Sequence, residues 1–162
     1  MTRSDAAAHT AAAAGAEPVC GDVTDPASLS AAMRGCLVVI HTAVRMGASP
    51  AVEPFLPVNV TGTRNMLAAA ADAQVRRFSY LGTAMSPLGS PRPITGADES
   101  WPPQQPRCSG YAASKTRADQ VVQAANGTQM ATVVIRRGWS GAPPTTRQPP
   151  ASCRQCAPVS CA

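Results

Sequence analysis

Short apolar and β-branched runs alternate along the chain with segments of helical spacing. Such runs are typical of buried strands, and small apolar side chains three and four residues apart are typical of helices. The predicted strands are Glu17 to Val23, Leu37 to Val44, Arg77 to Thr83 and Ala131 to Arg136, and the predicted helices are Ser28 to Arg34, Asn59 to Ala73 and Tyr111 to Asn126. This alternation predicts βαβ units, a parallel sheet and an open α/β fold.

Proline and glycine indicate where the elements end and where loops form. Pro26 suits a first helical turn, and Gly35 and Gly127 suit helix ends. Two longer loops, Gly47 to Pro57 and Met85 to Gly110, follow strands, and ligands of open α/β sheets bind beyond the carboxyl ends of strands. They are therefore candidate walls of a site. Residues 143–162 are rich in proline without apolar periodicity, which predicts a disordered tail after one domain of residues 1–142.

Composition excludes several classes of protein. The chain has 162 residues, 44% of them hydrophobic and 14% charged, which favours one folded domain over a disordered chain. The longest apolar run, Leu37 to Ile40, is far shorter than the roughly 20 residues of a membrane helix, so we expect no membrane span. The net charge is +5, but arginines are not interleaved with aromatic residues, so we expect no nucleic-acid partner.

The cysteines do not form a pattern typical of disulfides or metal ligands. Of the six, three are scattered and three crowd the last ten residues, as Cys153, Cys156 and Cys161. Three thiols without a fourth ligand are a weak metal signal, so we predict no metal site. The amino-terminal segment lacks the apolar centre of a secretory signal, which favours a reducing, cytoplasmic setting.

Tyr111 and Lys115 are the most informative pair for chemistry. Their spacing of four residues places them one turn apart on one face of a predicted helix. An ammonium so near favours phenolate, so we expect a pKa for Tyr111 below its usual value of about 10 and a role as general acid and base. The chain has thirteen arginines and this one lysine. An ordinary surface pair is the alternative.

These two residues, together with other motifs, resemble the extended short-chain dehydrogenase/reductase family, or NAD-dependent epimerase/dehydratase family. The other motifs are the turn GDVTD, the strands VVIHTAV and RRFSYLGT, and the helix VNVTGTRNMLAAA. The stretch from DESWPP through YAASKTRADQVVQAANG is most similar to the 3β-hydroxysteroid dehydrogenase branch. The resemblance covers about Arg3 to Ala142. It implies a partial Rossmann-like, doubly wound parallel sheet that binds NAD or NADP.

The resemblance also implies an activity and the residues that perform it. A hydride would pass between the nicotinamide and a secondary alcohol or ketone of a steroid-like or other small hydrophobic substrate. Tyr111 would move the proton and Lys115 would hold the nicotinamide ribose. Thr83 would hydrogen-bond the substrate oxygen, and Asn59 would serve a proton relay or, equally, cap its helix.

The same resemblance implies a set of residues that contact the cofactor. Asp22 would accept from the adenine amino group, although a turn or helix cap is the alternative for this carboxylate. Arg3 would meet a 2′-phosphate, which would favour NADP, unless it is an exposed arginine without a role. The cofactor-binding set is Arg3, Asp22, Val23, His41, Ala43, Val44 and Lys115.

The sequence departs from the family pattern at both ends. No glycine-rich turn for a pyrophosphate is present, so the first βαβ unit is lacking. Arg136-Arg137-Gly138-Trp139 stands where the family has Arg-Pro and a Tyr-Gly-Pro turn, and the carboxyl-terminal substrate portion is lacking. The chain therefore resembles about half of a family member, truncated at both ends.

Three interpretations of the function stay open. The first is the oxidoreductase described above, and the second is a sugar-nucleotide epimerase or dehydratase, which shares the Tyr, Lys and Thr positions. The third is a non-catalytic remnant, because a parallel sheet without its first strands exposes edges and apolar faces. The family resemblance also implies a homodimer through a helix pair that includes Tyr111 to Asn126.

Overall fold

Three parallel strands form the sheet of this protein. The computed structural model describes residues 1–84, 98–99 and 109–137. The strands are β1 (Val38–His41), β2 (Arg77–Thr83) and β3 (Ala131–Arg137), in the order β1-β2-β3. Arg77 of β2 lies opposite Val38 on one side and Ala131 on the other. The predicted parallel α/β sheet is confirmed.

Four α-helices accompany the sheet in the described part of the chain. They are α1 (Asp5–Ala13), α2 (Pro26–Ala32), α3 (Gly62–Asp72) and α4 (Gly110–Ala124). A 3₁₀ turn, Glu53–Phe55, and a π-helical segment, Leu56–Thr61, run directly into α3. Side chains cap three of the helices by accepting a backbone N–H of the first turn. The caps are Ser4 for α1, Asp25 for α2 and Ser109 for α4.

The core lies between the sheet and the helices. Alternation along β2 buries Phe78 and Tyr80 on one face, where α3 and α4 pack, and α2 packs against α3 with Leu29 fully buried. The opposite face of the sheet is different, because its large apolar side chains are exposed. They are Val38, Ile40, Val133 and Ile135.

A tight backbone contact brings one predicted loop against the start of α4. Gly110 donates its N–H to the carbonyl of Ser49 at 3.1 Å. A Cβ at position 110 would lie 1.9 Å from the carbonyl oxygen of Ala51, so glycine is required there. The loop Gly47 to Pro57 therefore lies beside the turn that carries Tyr111.

The predicted strand Glu17 to Val23 is wrong. Its contact with another extended segment is a single parallel bridge between Thr2 and Cys20. One bridge is too little pairing for a ladder, and Glu17 to Cys20 are exposed. The segment before it forms α1, which the strand and helix prediction did not include although alanine is the strongest helix former.

The second predicted strand, Leu37 to Val44, is shorter in the structure and ends at His41. Beyond it the backbone N–H and carbonyl of Arg45 are taken by the side chain of Asn59 rather than by a neighbouring strand. The ends of the other predicted elements agree within three residues, and Gly35 has the positive φ of +77° expected after a helix.

Some predictions fall outside the described residues. They are the disordered tail 143–162, most of the loop Met85 to Gly110, the carboxyl-terminal departure at 138–141, and the cysteines Cys153, Cys156 and Cys161. Within the described ranges, no helix is long and apolar enough to cross a membrane.

Candidate active site

Helix α4 presents Tyr111, Lys115 and Asp119 at intervals of four residues, so the three side chains share one face. The Nζ of Lys115 donates to the carbonyl oxygen of Leu81 at 2.6 Å and lies 4.1 Å from the ring centre of Tyr80. Lys115 is 3% exposed. These contacts hold the face of α4 that carries Tyr111 and Lys115 against the carboxyl end of β2.

The environment of Lys115 lowers the proton affinity of its amine. Burial lowers the pKa of Lys115 from 10.5 to about 8, and the negative charge of Asp119 opposes that shift. The carbonyl of Leu81 and the electron-rich face of Tyr80 both favour a cation, so the ammonium keeps partners although it is withdrawn from water.

Tyr111 is half-buried at the start of α4, beside the loop that precedes α3. Its ring meets Phe55 edge to face, with ring centres 6.2 Å apart. Burial raises the pKa of Tyr111 above its usual value of 10.0. The predicted lowering by Lys115 is therefore wrong for the protein in this state, because the ammonium is directed to Leu81 and Tyr80 and burial dominates.

Thr83 is the last residue of β2, two residues after the carbonyl that Lys115 contacts. It is buried, with 8% of its surface exposed. The predicted position at the carboxyl end of a strand is confirmed, and it lies at the end of the sheet to which α4 is fastened. The role of Thr83 toward a substrate oxygen stays a prediction.

Asn59 does not cap a helix, because it lies inside the π-helical segment and is 2% exposed. Its Oδ1 accepts the N–H of Arg45 at 2.7 Å, and its Nδ2 donates to the Arg45 carbonyl at 3.0 Å and to Oγ of Ser114 at 2.8 Å. Asn59 thus joins the loop after β1 to α4. The predicted proton relay remains untested.

Ser114 is a site residue that the sequence reasoning missed. Its hydroxyl accepts from Asn59 and donates to the backbone carbonyl of Tyr111 at 2.7 Å. A hydroxyl inside a helix commonly bonds to a carbonyl of the preceding turn. In the sequence, the position of Ser114 three residues after Tyr111 could have indicated this bond to the Tyr111 carbonyl.

His41 was predicted to line the cofactor, and the structure places its side chain in the core. It is 1% exposed, with Nε2 3.0 Å from Oγ1 of Thr63 and its ring centre 5.5 Å from that of Tyr80. Burial, with the charge of Lys115 second, lowers the pKa of His41 to about 4. The side chain is therefore a neutral core group, and contact through its backbone stays a prediction.

The structure brings together Arg3 and Asp22, which the sequence assigned to different parts of a dinucleotide. Nη1 of Arg3 lies 3.2 Å from the Asp22 carboxylate, which also accepts the N–H and hydroxyl of Thr24, each at 2.8 Å. These bonds, led by that from the Thr24 backbone, lower the pKa of Asp22. Asp25 rather than Asp22 caps α2.

The other predicted cofactor contacts differ in their exposure. Val23 is buried and packs so closely on Gly62 that a Cβ there would lie 2.8 Å from Cγ2 of Val23. Ala43 is exposed and Val44 is partly buried, both after the end of β1. Ala43 is thus accessible to a ligand, whereas Val23 is a core residue.

The chain has residues suited to two of the three parts of a dinucleotide, the adenine and the nicotinamide ribose, but not to the pyrophosphate. Asp22 is an ionised, partly exposed acceptor suited to an adenine amino group, and Lys115 and Tyr111 provide donors suited to a ribose and a reacting oxygen. A glycine-rich turn for the pyrophosphate is lacking in the sequence. Among the described side chains, no group of three or more His, Cys, Asp or Glu could hold a metal ion.

Solved structures share this arrangement of the sheet and helices. A short-chain dehydrogenase/reductase superfamily protein from Agrobacterium tumefaciens, solved with bound NAD, aligns with a TM-score of 0.65 and 30% identity over 81% of this chain and 43% of its own. UDP-glucose 4-epimerase of Thermus thermophilus, in complex with NAD, aligns with a TM-score of 0.64 and 26% identity over 75% of this chain and 40% of its own. The partial Rossmann-like fold is confirmed.

Sequence relatives are mostly reductases and dehydrogenases. A 4-hydroxy-2-methyl-3-oxo-4-farnesyl-3,4-dihydroquinoline-1-oxide ketoreductase of Stigmatella aurantiaca is 38% identical over 136 residues, which are 84% of this chain and 40% of that protein. A 3 beta-hydroxysteroid dehydrogenase/Delta 5-->4-isomerase of Mycobacterium tuberculosis is 34% identical over 72% of this chain and 33% of its own.

The chain spans about two fifths or less of the length of these curated relatives. The profile of the 3-beta hydroxysteroid dehydrogenase/isomerase family nevertheless matches residues 2–138, which is most of the sequence and includes every residue of the candidate site. The resemblance drawn from the motifs is confirmed, and the chain belongs to the 3-beta hydroxysteroid dehydrogenase/isomerase family.

Proposed function

We propose that this chain carries the nicotinamide-dependent oxidoreductase chemistry of its family, acting between a secondary alcohol and a ketone. One observation carries the proposal. The Nζ of Lys115 is fastened at 2.6 Å to the Leu81 carbonyl, so the face of α4 with Tyr111 is held at the end of β2 where Thr83 lies. A phenol, an ammonium and a hydroxyl at the carboxyl edge of a parallel sheet suit proton transfer to a bound carbonyl.

In the proposed reaction the side chains of the chain handle the proton. Tyr111 donates its phenolic proton to the substrate oxygen in reduction and takes it back in oxidation. Thr83 donates a hydrogen bond to the same oxygen. Lys115 is a cation near the phenol and favours the phenolate that forms, so its charge must turn from Leu81 and Tyr80 toward the site. A bound NAD or NADP would supply or accept the hydride.

The proposed cofactor is NAD or NADP, held at its adenine end by Asp22 and at its nicotinamide ribose by Lys115. The relatives solved with bound NAD support this choice. Arg3 lies 3.2 Å from Asp22 and is 73% exposed in its side chain, so its guanidinium can reach a 2′-phosphate beside that carboxylate. This position supports use of NADP.

The proposed substrate is a small hydrophobic or steroid-like alcohol or ketone. The support comes from the relatives, whose names specify a farnesylated quinoline oxide, sterols and 3-oxoalkanoates. An epimerase or dehydratase of sugar nucleotides is the second candidate, because structural neighbours include a UDP-glucose 4-epimerase and a dTDP-glucose 4,6-dehydratase. An epimerase returns the hydride to its substrate, whereas a dehydrogenase leaves it on the cofactor.

Titration of the purified chain with NADH and NADPH tests the proposal, with nicotinamide fluorescence and thermal unfolding as readouts. A ligand that binds the native state raises its apparent stability. We expect saturable binding that Lys115→Met weakens and that Arg76→Met, an exposed change at the opposite end of β2, leaves unchanged. Absence of binding by the folded chain would contradict the proposal.

A second measurement separates the two candidate reactions. The chain is incubated with the oxidised cofactor and either hydrophobic secondary alcohols or UDP-glucose, and reduced nicotinamide is followed over time. Steady accumulation with an alcohol supports the dehydrogenase. Conversion of UDP-glucose without accumulation would instead support the epimerase.

We further propose that the protein is cytoplasmic.

We also propose that it forms a homodimer through α3 and α4. A surface groove of about 420 Å³ lies between these helices and the π-helical segment, and its apolar and basic side chains support a contact there. Its lining includes Leu56, Val60, Arg64, Arg117 and Val121. Sedimentation velocity tests the dimer, and a monomer at all concentrations would contradict it.

A further inference from the structure

Asp119, one turn beyond Lys115 on α4, is a buried carboxylate paired with a partly exposed arginine of β3. Asp119 is 0% exposed, and its carboxylate accepts from Nε of Arg136 at 2.7 Å and from Nη2 of the same guanidinium at 3.3 Å. The amide of Gln123 also donates to it. Arg136 belongs to β3, so the pair joins α4 to the sheet a second time, beside the contact of Lys115 with Leu81.

The hydrogen bonds from Arg136 and Gln123 fix the position of the Asp119 carboxylate. A buried charge is costly unless it is paired and hydrogen-bonded, and Arg136 and Gln123 meet that need. The planar guanidinium binds through two nitrogens, which fixes the direction of the carboxylate as well as its distance. A fixed negative charge one helical turn from an ammonium attracts it and restricts where it can move.

We propose that Asp119, clamped by Arg136, is a positioning residue that holds the Lys115 ammonium in its charged form at the carboxyl end of β2. The purpose of that ammonium, contact with a nicotinamide ribose, rests on the proposed function. The electrostatic link between Asp119 and Lys115 does not, because it belongs to the chain without ligand.

Titratable groups of three elements, β1, β2 and α4, lie around Lys115. His41 from β1 and Tyr80 from β2 are neutral near pH 7, because burial lowers the pKa of the first to about 4 and raises the pKa of the second. Tyr111 on α4 is neutral as well, since burial raises its pKa. Asp119 is the acid among these neighbours, and its charge favours protonation of Lys115 against the effect of burial.

The composition of the chain makes the test unusually direct. Lys115 is the single lysine, so lysine labelled with carbon-13 at Cε gives one side-chain resonance. Its chemical shift follows the charge of Nζ, and a pH titration of the whole chain, without cofactor, yields the protonation midpoint of that ammonium. Failure to bind a nicotinamide would leave this measurement intact, so the two proposals fail separately.

Opposite shifts are expected from the two members of the ion pair. Asp119→Asn removes the favourable charge and should lower the Lys115 midpoint by about one pH unit, a tenfold loss in proton affinity. Arg136→Gln removes the cation that pairs with Asp119, so the carboxylate acts on Lys115 without a competing partner and the midpoint should rise. A merely structural disturbance would move both variants in the same direction, and that outcome would overturn the proposal.

Matched variants complete the test. Asp119→Glu keeps the charge and should leave the midpoint nearer the original value than Asp119→Asn does, whereas Asp72→Asn, an exposed change on α3, should leave it unchanged. If Asp119→Asn does not fold, the double variant Asp119→Asn/Arg136→Gln replaces it, because it removes both charges together. Its midpoint should then lie below that of Arg136→Gln, and equal midpoints would overturn the proposal.

Discussion

The Nε2 of His41 lies 3.0 Å from Oγ1 of Thr63, inside the core between β1 and α3. The Thr63 hydroxyl lies 2.7 Å from the carbonyl oxygen of Asn59 and donates to it. A hydroxyl has one proton, so it accepts from His41, which carries its hydrogen on Nε2. A second proton on this ring would place a charge in the core near Lys115, which is why the pKa of His41 falls to about 4.

This buried histidine predicts a loss of stability in mild acid. The unfolded chain takes up a proton near pH 6.5, whereas the native chain resists it down to about pH 4. Between these values the unfolded state binds more protons, so the free energy of unfolding should fall as pH decreases, by about 3 kcal/mol in total, and this contribution should level off below pH 4. Urea unfolding at several pH values measures the slope.

The chain supplies its own control for that slope. His41→Gln keeps a donor for Thr63 but has no proton to gain, so the contribution between pH 4 and 6.5 should disappear. His9→Gln changes the other histidine, which is exposed on α1, and should leave the slope unaltered. An unchanged slope in His41→Gln would show that other groups cause the acid sensitivity.

A second prediction concerns Asn59 and Ser114. Asn59→Ala leaves both backbone groups of Arg45 without their side-chain partner and should cost about 3 kcal/mol of unfolding free energy. Ser114→Ala removes two hydrogen bonds rather than three and leaves the Arg45 backbone paired, so it should cost about 1 kcal/mol. Because the two side chains bond each other, a double-mutant cycle should give a coupling of about 1 kcal/mol, and strictly additive losses would refute the link.

Much of this fold could be predicted because its local patterns agree with its tertiary contacts. The run Arg77 to Thr83 became β2 without change, since it is central and pairs on both sides. The run Glu17 to Val23 was also predicted as a strand, but a strand needs a partner beside it. Here the pairing among the described residues is one bridge to Thr2. Strand propensity carries no information about partners.

The candidate site, like the fold, was predictable in part. Spacing alone placed Tyr111 and Lys115 on one face of α4. Spacing could not show that the Lys115 ammonium bonds to a carbonyl 34 residues earlier and lies over the ring of Tyr80. Nor could it show the burial of Tyr111, which raises the pKa of that phenol where a lower pKa was expected. Likewise, the pairing of the buried Asp119 with Arg136 depends on how β3 lies against α4, which the sequence does not specify.

The third prediction uses the two tyrosines of the chain as a matched pair. Tyr111→Phe removes the proposed proton donor and should lower turnover by about 10²- to 10⁴-fold while the Kd for NADPH changes little. Tyr80→Phe keeps the ring beneath Lys115 and removes a buried hydroxyl that has no hydrogen bond among the described residues. It should leave turnover within about twofold. Equal losses in the two variants would contradict the role of Tyr111.

The fourth prediction tests the choice of cofactor at Arg3. Its ion pair with Asp22 is exposed, and exposed pairs contribute little, so Arg3→Gln should change the unfolding free energy by less than about 0.5 kcal/mol. A charge-assisted bond to a 2′-phosphate contributes more, so the Kd for NADPH should rise about tenfold while that for NADH stays constant. Equal changes for both cofactors would remove the argument for NADP.

The last prediction follows from the uncovered face of the sheet. Parallel sheets are ordinarily covered on both faces, yet Ile40 is 71% exposed and Ile135 is 53% exposed on the side away from α3 and α4. Ile40 also lies on β1, an edge strand in the described sheet, and a lysine on an edge discourages pairing with another chain. Ile40→Lys should therefore reduce association beyond the dimer proposed through α3 and α4, as measured by sedimentation velocity.

The same variant should cost little stability. A surface substitution ordinarily changes the unfolding free energy by less than about 0.5 kcal/mol, whereas Phe78→Ala, on the buried face of the same sheet, should cost about 3 to 5 kcal/mol. Urea unfolding of the two variants compares the faces directly. If Ile40→Lys lost as much stability as Phe78→Ala, Ile40 would be covered in solution by a group that the described residues do not include.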